Sequence, residues 1–408
     1  MSWSIVSVIL LGVIAYTYIG YPLVLKALVK FNKTGGPSRG SGAKAAGPGG
    51  GGGGDDAEPV GTVSWPSVSL VVTVHNGGHL MEAKVRNLSE LRYPGSCDFH
   101  FVLDGCTDDT RAVIESNRHL IDRELHIWES DQRRGKENAI RDAIDHFTGD
   151  VLVFSDADTA LKPDAVEHLA RKLTEPGVGV ACGQEIYLRT AGDDDAGQGQ
   201  GLFKRYENAV KAMQDRCSSL SYVQGGIFAM WKNLYPADVP AGCTQDGIIA
   251  FDTVLAGRRV ALQADAISTE FYELDARGDF SRRVRTVSRA AYSIWRRREI
   301  FDVGRTGWFG FHVLSSRLLR WLAAPLALAA LATAAIGASQ GDRLGMAVTG
   351  LFAAWAVLVI VGIVLEKWGR RLTVFYFPMY FTYIHLAAMW GLMIVLRGGR
   401  VVTWKPTR

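Results

Sequence analysis

The sequence predicts an α/β domain, a parallel sheet covered by helices, inserted between membrane-spanning helices. Three observations predict it. Apolar runs of strand length alternate with helix-patterned segments through the middle of the chain, and uncharged stretches of bilayer length lie at both ends. One of the strand-like runs, from Val151 to Phe154, stops at two carboxylates, Asp156 and Asp158, separated by a single small residue. In open α/β sheets ligands bind beyond the carboxyl ends of the strands, so this pair is expected to face a crevice. Two such carboxylates repel unless a cation lies between them, and a hard divalent ion suits an oxygen-only pair. Asp-x-Asp is also common in solvated turns, and the tripeptide alone does not choose between the two.

A chain of 408 residues holds two or three structural units, and these differ in character. The net charge of +4 comes from local arginine clusters, so nucleic acid is not the expected partner. Five cysteines (Cys97, Cys106, Cys182, Cys217, Cys243) lack metal-ligand spacing and are read as reduced thiols. From Ile5 to Leu25 no charge interrupts 21 residues, enough to cross a hydrocarbon core. Lys26, Lys30, Lys33 and Arg39 follow the run, which predicts an uncleaved anchor over 1–30 with its C-terminal side cytoplasmic. Tyr16, Tyr18 and Tyr21 are candidates for an interfacial belt. Residues 31–66, with unbroken glycine from Gly49 to Gly54, predict a flexible linker; no Lys-Ser or Lys-Thr follows to make it a phosphate loop.

The core is expected over 67–275. Val68 to Val74 is an apolar strand, and Leu80, Ala83, Asn87, Leu88 and Leu91 mark a helix face. Phe99 to Leu103 is a second strand ending at Asp104, and Leu125 to Trp128 a third. Ala139, Ile140, Ala143, Ile144 and Phe147 mark the helix before the strand that ends at Asp156. This order predicts a parallel sheet with His75, Asn76, Asp104, Asp156 and Asp158 on one edge.

These stretches together resemble the inverting, membrane-bound glycosyltransferases of family two. Val68 to Asn76 resembles the family's first strand and its ending, Leu103-Asp-Gly-Cys-Thr-Asp-Asp-Thr110 its Asp-Gly-Ser-Thr-Asp signature, and Phe154-Ser-Asp-Ala-Asp158 its metal motif; Gly135-Lys136 precedes a helix as in the family. The resemblance implies a GT-A nucleotide-sugar fold, Rossmann-like, and a donor that is a nucleotide sugar, a UDP-sugar first among them. It implies that His75, Asn76, Asp104, Lys136 and Asp156 bind the donor, and that Asp156 and Asp158 hold Mg²⁺ or Mn²⁺. Thr73 and Gly77 depart from the family's usual Pro and Glu, which leaves donor identity open.

Further on, Val178 to Leu188 predicts a strand, Asp193 to Gly201 a polar loop, and Tyr206 the start of a helix. Gln224, Gly225 and Gly226 sit where the family's loop borders the acceptor; glycines in a tight turn are the alternative. Thr244-Gln-Asp246 is similar to the family's Glu-Asp motif, which implies that Asp246 is the catalytic base, although Thr and Asp also cap helices. Two short strands, Arg259 to Leu262 and Ala266 to Phe271, end this part. Residues 276–316 predict basic amphipathic helices on an anionic membrane surface; the resemblance implies that Arg285 meets the donor diphosphate, although Arg282-Arg-Val-Arg285-Thr286 keeps only the arginine of the family's Gln-x-x-Arg-Trp and a surface helix is the alternative. Residues 317–408 contain three apolar segments, about Leu318 to Gly337, Leu344 to Leu365 and Leu372 to Leu396. The expected protein is an integral inner-membrane enzyme with a cytoplasmic catalytic domain. It transfers a sugar to a lipid-linked or growing glycan acceptor in cell-envelope or exopolysaccharide synthesis, with membrane lipids around it. A transferase to a membrane lipid such as ceramide or polyprenyl phosphate, and an inactive scaffold, are the alternatives; four spans are too few for a wide export channel.

Overall fold

The computed structural model describes residues 2–32, 64–188, 195–271, 276–370 and 372–401; most of the glycine-rich linker lies outside them. Eight strands form one sheet: β1 (Val68–Val74), β2 (Cys97–Asp104), β3 (Leu125–Ser130), β4 (Val151–Asp156), β5 (Thr159–Leu161), β6 (Val178–Leu188), β7 (Ile227–Trp231) and β8 (Arg259–Phe271). Their order is β3-β2-β1-β4-β7-β6-β8-β5. The first four are parallel, in continuous register from Val68 beside Cys97 and Val151. Beyond β4 the sheet is mixed, because β7 runs antiparallel to both β4 and β6 and β5 runs antiparallel to β8. The all-parallel expectation therefore holds for one half only. Both β7 and the three-residue β5 escaped the sequence reading, since short apolar runs carry no periodicity of their own.

The reversal of β7 matters for the site. An antiparallel strand starts where its parallel neighbours finish, so Gln224, Gly225 and Gly226 arrive at the edge where β1, β2 and β4 end. β6 and β8 pair in parallel and finish on the same edge, with Gln184 beside Ile267 and Tyr187 beside Glu270. The two short strands expected between Arg259 and Phe271 are one strand with register irregularities opposite Cys182 to Gln184. There a Cβ on Gly183 would lie 2.6 Å from the Ala266 carbonyl, so only glycine lets the backbones pass.

The helices that flank the sheet are α1 (Trp3–Ala15) and α2 (Tyr21–Asn32), α3 (Gly78–Ser89), α4 (Thr110–Asn117), α5 (Lys136–Ala143), α6 (Ala165–Leu173), α7 (Asp195–Cys217), α8 (Gln245–Leu255) and α9 (Ala276–Arg296). Short helices α10 (Val303–Thr306), α11 (Phe309–Val313) and α12 (Leu319–Trp321) lead into α13 (Ala323–Ser339), α14 (Arg343–Lys367) and α15 (Thr373–Leu396). One apolar layer packs β1, β2 and β4 against α3 and α6 through Leu70, Val72, Val85, Leu88, Val153 and Leu169. The opposite face packs on α5, α8 and α9 through Val71, Ile140, Phe154, Phe228, Ile249 and Ile294. The buried face of α3 is Met81, Lys84, Val85 and Leu88, rotated from the expected stripe so that Ala83 is exposed. Helix α7 starts at Asp195, inside the stretch expected to be a loop; its packing against α2 and α15 supports what local propensity does not.

Among the described residues, three helices are long and apolar enough to cross a membrane: Trp3–Phe31, Arg343–Lys367 and Thr373–Leu396. The pair Phe309–Trp321 and Ala323–Ser339, bent by 58°, makes a fourth if it counts as one broken span. Tyr16, Tyr18 and Tyr21 do not form an outward belt. Tyr21 is fully buried, its hydroxyl bonded to Gln214 Nε2 at 2.7 Å and to His312 Nδ1 at 3.1 Å; Tyr16 meets Ser315 Oγ at 3.0 Å and Tyr18 meets His385. A phenol in apolar surroundings needs a polar partner, and here the partners lie inside the protein. Nor does α9 stand as a free surface helix: Val287, Ala291 and Ile294 are buried, and a Cβ on Gly391 of α15 would lie 2.7 Å from the Val284 carbonyl. Its other face stays basic, with Trp295 exposed.

Candidate active site

The edge is built from loops that the sequence pins individually. Asn76, after β1, adopts a left-handed conformation with φ 50°, which Asn tolerates better than most residues. Its side chain accepts from Thr107 N at 2.8 Å and donates to Thr107 Oγ1 at 3.1 Å, tying the β1 and β2 endings together. His75 Nδ1 bonds the Asp104 carbonyl at 2.7 Å. Asp108 accepts from Gly78 N at 3.0 Å, so part of the Asp-Gly-Cys-Thr-Asp segment serves to start α3. Asp104 itself is 3 % exposed, and its carboxylate accepts from Arg134 N at 2.6 Å and Gly135 N at 2.8 Å. It thereby shapes the loop that delivers Lys136 at the first position of α5.

Lys136 Nζ donates to Asp156 Oδ1 at 2.6 Å. Burial alone would lower its pKa, but the Asp156 and Asp246 carboxylates outweigh it and keep the ammonium charged. Asp246 lies beyond Gly225: a Cβ on that glycine would come 3.1 Å from Asp246 Oδ2 and 3.5 Å from Asp156 Oδ2. Glycine at 225 thus lets two strand ends and a helix start converge. The capping of α8 falls to Thr244, whose Oγ1 accepts from Gly247 N at 3.1 Å. That leaves the Asp246 carboxylate to the site. Desolvation raises its pKa to about 6; Lys136 pulls it down, Asp156 and Glu137 push it up, and Arg289 pulls it down. Arg289 is anchored on the Cys243 carbonyl at 3.0 Å and on Glu137.

Asp158 lies two positions after Asp156, with Ala157 between them, and is exposed. Partial desolvation and the neighbouring Asp156 charge raise its pKa, an unfavourable crowding that a cation would relieve. Among the described residues no group of three or more His, Cys, Asp or Glu is placed to hold a metal alone. The donor set fits an ion whose remaining ligands come from substrate phosphate oxygens and water, as Mg²⁺ and Mn²⁺ accept. Arg285 is brought near the same edge: burial, then Arg289, Arg282 and Arg133, lower its pKa to about 10. Arg133 belongs to the loop shaped by Asp104, so Arg285 lies within reach of that loop's positive charge.

Three features escaped the sequence reading. Lys84 is buried beneath the Asp-x-Asp turn and donates to Ser155 Oγ and the Thr159 carbonyl, each at 2.7 Å. Desolvation lowers its pKa to about 7 against the pull of Asp156 and Asp158. The signal was available as a lysine inside the apolar stripe Met81, Val85, Leu88. Glu270 hydrogen-bonds Glu185 across β6 and β8, and burial with that neighbour's charge raises its pKa strongly. Gln224, read as an acceptor residue, donates to Glu185 and accepts from Lys211, while a Cβ on Gly226 would lie 2.6 Å from Glu185 Oε1. Pairs between strands that distant in sequence leave no local trace.

Residues 69–235 match the Glycosyl transferase family 2 model. An N-acetylglucosaminyltransferase of Rhizobium sp. (strain N33) is 29 % identical over 126 residues, 31 % of this chain and 28 % of that protein. Another, from Rhizobium leguminosarum bv. viciae, is 30 % identical over 129 residues, 31 % and 30 % of the two chains. The matched stretch is therefore under a third of either relative's length. A mannosyltransferase from Pyrobaculum calidifontis, solved in complex with GDP-Man and Mn²⁺, is similar over 96 % of this chain and 99 % of its own, with a TM-score of 0.68 and 19 % identity. That likeness extends the fold through the apolar helices at both ends. Residues 69–235 thus match the family 2 glycosyltransferases, on a GT-A fold flanked by helices apolar enough to span a membrane.

Proposed function

We propose that this protein is an inverting glycosyltransferase that moves a sugar from a nucleotide-sugar donor to a hydroxyl on a glycan or lipid-linked acceptor. The observation that carries the reading is the position of Asp246, close to Gly225, with Lys136 between its charge and that of Asp156. Asp246 takes the proton of the acceptor hydroxyl, whose oxygen bonds to the anomeric carbon. The bond from that carbon to the diphosphate breaks on the opposite face, and its electron pair leaves with the nucleoside diphosphate. In this reading Lys136 and Arg285 meet the departing diphosphate, a charge-assisted contact that strengthens as negative charge develops. Asp156 and Asp158 would hold Mg²⁺ or Mn²⁺, which when bound neutralises phosphate charge. His75, Asn76 and Asp104 build the floor for the nucleoside, and Gln224, Gly225 and Gly226 border the acceptor. The apolar helices at both ends support a reaction at a membrane, with a product for the cell envelope or exterior and the catalytic domain on the cytoplasmic side where nucleotide sugars are made.

The test is a panel of UDP- and GDP-sugars with purified full-length protein and Mn²⁺ or Mg²⁺, reading nucleoside diphosphate release and anomeric configuration. Release from none of them, or a product that retains the donor configuration, overturns the reading.

A further inference from the structure

In a site that is to hold a diphosphate, Glu137 has the wrong charge. It follows Lys136 in the first turn of α5, and its side chain is only 16 % exposed. A carboxylate suits a helix N-terminus in general, but here it would repel the phosphates that Lys136 is to meet, and it competes with Asp156 for the Lys136 ammonium. The charge is answered from another element. Arg289 of α9 pairs with Glu137, and the same guanidinium holds the Cys243 carbonyl through Nε at 3.0 Å and through Nη2. Cys243 immediately precedes Thr244-Gln-Asp246, so one side chain ties the entry to α8 to the first turn of α5.

The remainder of α9 keeps that guanidinium in place. Arg289, Ser293 and Arg297 are four residues apart and share one side of the helix. Ser293 Oγ accepts from Thr244 N and donates to the Arg289 carbonyl, each at 2.9 Å. Arg297 donates to both carboxylate oxygens of Asp252, in α8, at 2.6 and 3.1 Å. Helix α8 is thus fastened to α9 at Thr244 and Asp252 already; what Arg289 adds is the link to α5. Resting on the transferase reading above, we propose that Arg289 is a positioning residue for the reaction. It neutralises Glu137, which leaves Lys136 to the diphosphate, and it fixes the Cys243 carbonyl, which sets where Asp246 stands.

The experiment uses purified full-length protein in phosphatidylcholine nanodiscs. Affinity for UDP and for GDP, each with Mn²⁺, is read by calorimetry, kcat with the active donor, and folding by the denaturation midpoint. Arg289→Gln strands the Glu137 carboxylate beside Lys136 and should weaken diphosphate binding about tenfold, while the displaced base lowers kcat about 100-fold. Adding Glu137→Gln removes the stranded charge, so affinity should return to within about threefold of the parent, with kcat still low because the Cys243 carbonyl has lost its anchor. A merely structural pair would not separate the two readouts. Arg289→Lys keeps a charge opposite Glu137 without the planar fork, so it should bind the diphosphate well and turn over slowly; it also keeps the test open if Arg289→Gln does not fold. An affinity that Arg289→Gln leaves unchanged overturns the proposal. So does a loss that the double variant fails to reverse, since Arg289 would then meet the phosphates itself, and so does a parental kcat in Arg289→Lys. If the parent turns over no donor, the transferase reading fails, and the loss and recovery of diphosphate affinity still decide the role of Arg289 toward Lys136.

Discussion

Replacing Asp246 by Asn should move activity and stability in opposite directions. The amide keeps the shape of the carboxylate but cannot take a proton, and loss of a general base costs about 10²- to 10⁴-fold in turnover. Stability follows from the same burial. The folded pKa is about 6 against an ordinary 3.8, so the ionised form is disfavoured in the folded protein. Below the ordinary value the group is protonated in both states and costs nothing. Between the two values the unfolded chain ionises first and stability falls with rising pH; above about 6 the penalty is complete. A displacement of about two units corresponds to about 3 kcal/mol as an upper figure. Asp246→Asn should therefore resist chemical denaturation better than the parent at pH 8, with the difference vanishing near pH 4. The parent's transfer rate should rise with pH through about 6 as the base loses its proton. Denaturant titrations at both pH values, with initial rates across the range, make the test. A variant that is slower and also less stable at pH 8 would mark Asp246 as a structural residue and refute the reasoning.

Asp158→Ala should abolish transfer while leaving the denaturation midpoint near that of the parent, since this side chain is exposed; full activity in excess chelator would remove the metal from the account. Lys84→Met strands Ser155 Oγ and the Thr159 carbonyl without their donor and should cost about 1–3 kcal/mol, read by denaturant titration. Because the folded pKa of Lys84 lies near 7 and the unfolded one near 10.5, the parent gains stability from this group as pH rises between them, and the variant should lack that slope. The protein should stay in the membrane fraction through a carbonate wash and require detergent, because its apolar helices bury far more surface than a basic patch could replace; recovery in the wash would contradict that.

Much of this protein is local in origin, and that part is legible in the chain. The ends of β1, β2 and β4, the turn at Asp156 and Asp158, and the helix start at Lys136 each follow from a short apolar run stopping at a polar residue. The apolar helices at both ends follow from length and the absence of charge, because a bilayer demands nothing more specific. Where neighbours are distant in sequence, only the folded chain decides. The reversed β7 brings Gly225 between Asp156 and Asp246, Glu185 meets Glu270 across two strands, and Tyr21 turns inward to Gln214 and His312. In sequence Asp246 is equally a helix cap or a base; in the fold Thr244 Oγ1 accepts from Gly247 N and takes the cap. Short-range patterns record what a residue's own segment needs. Desolvation, charge crowding and the meeting of strand ends belong to pairs far apart along the chain, and so to the tertiary structure alone.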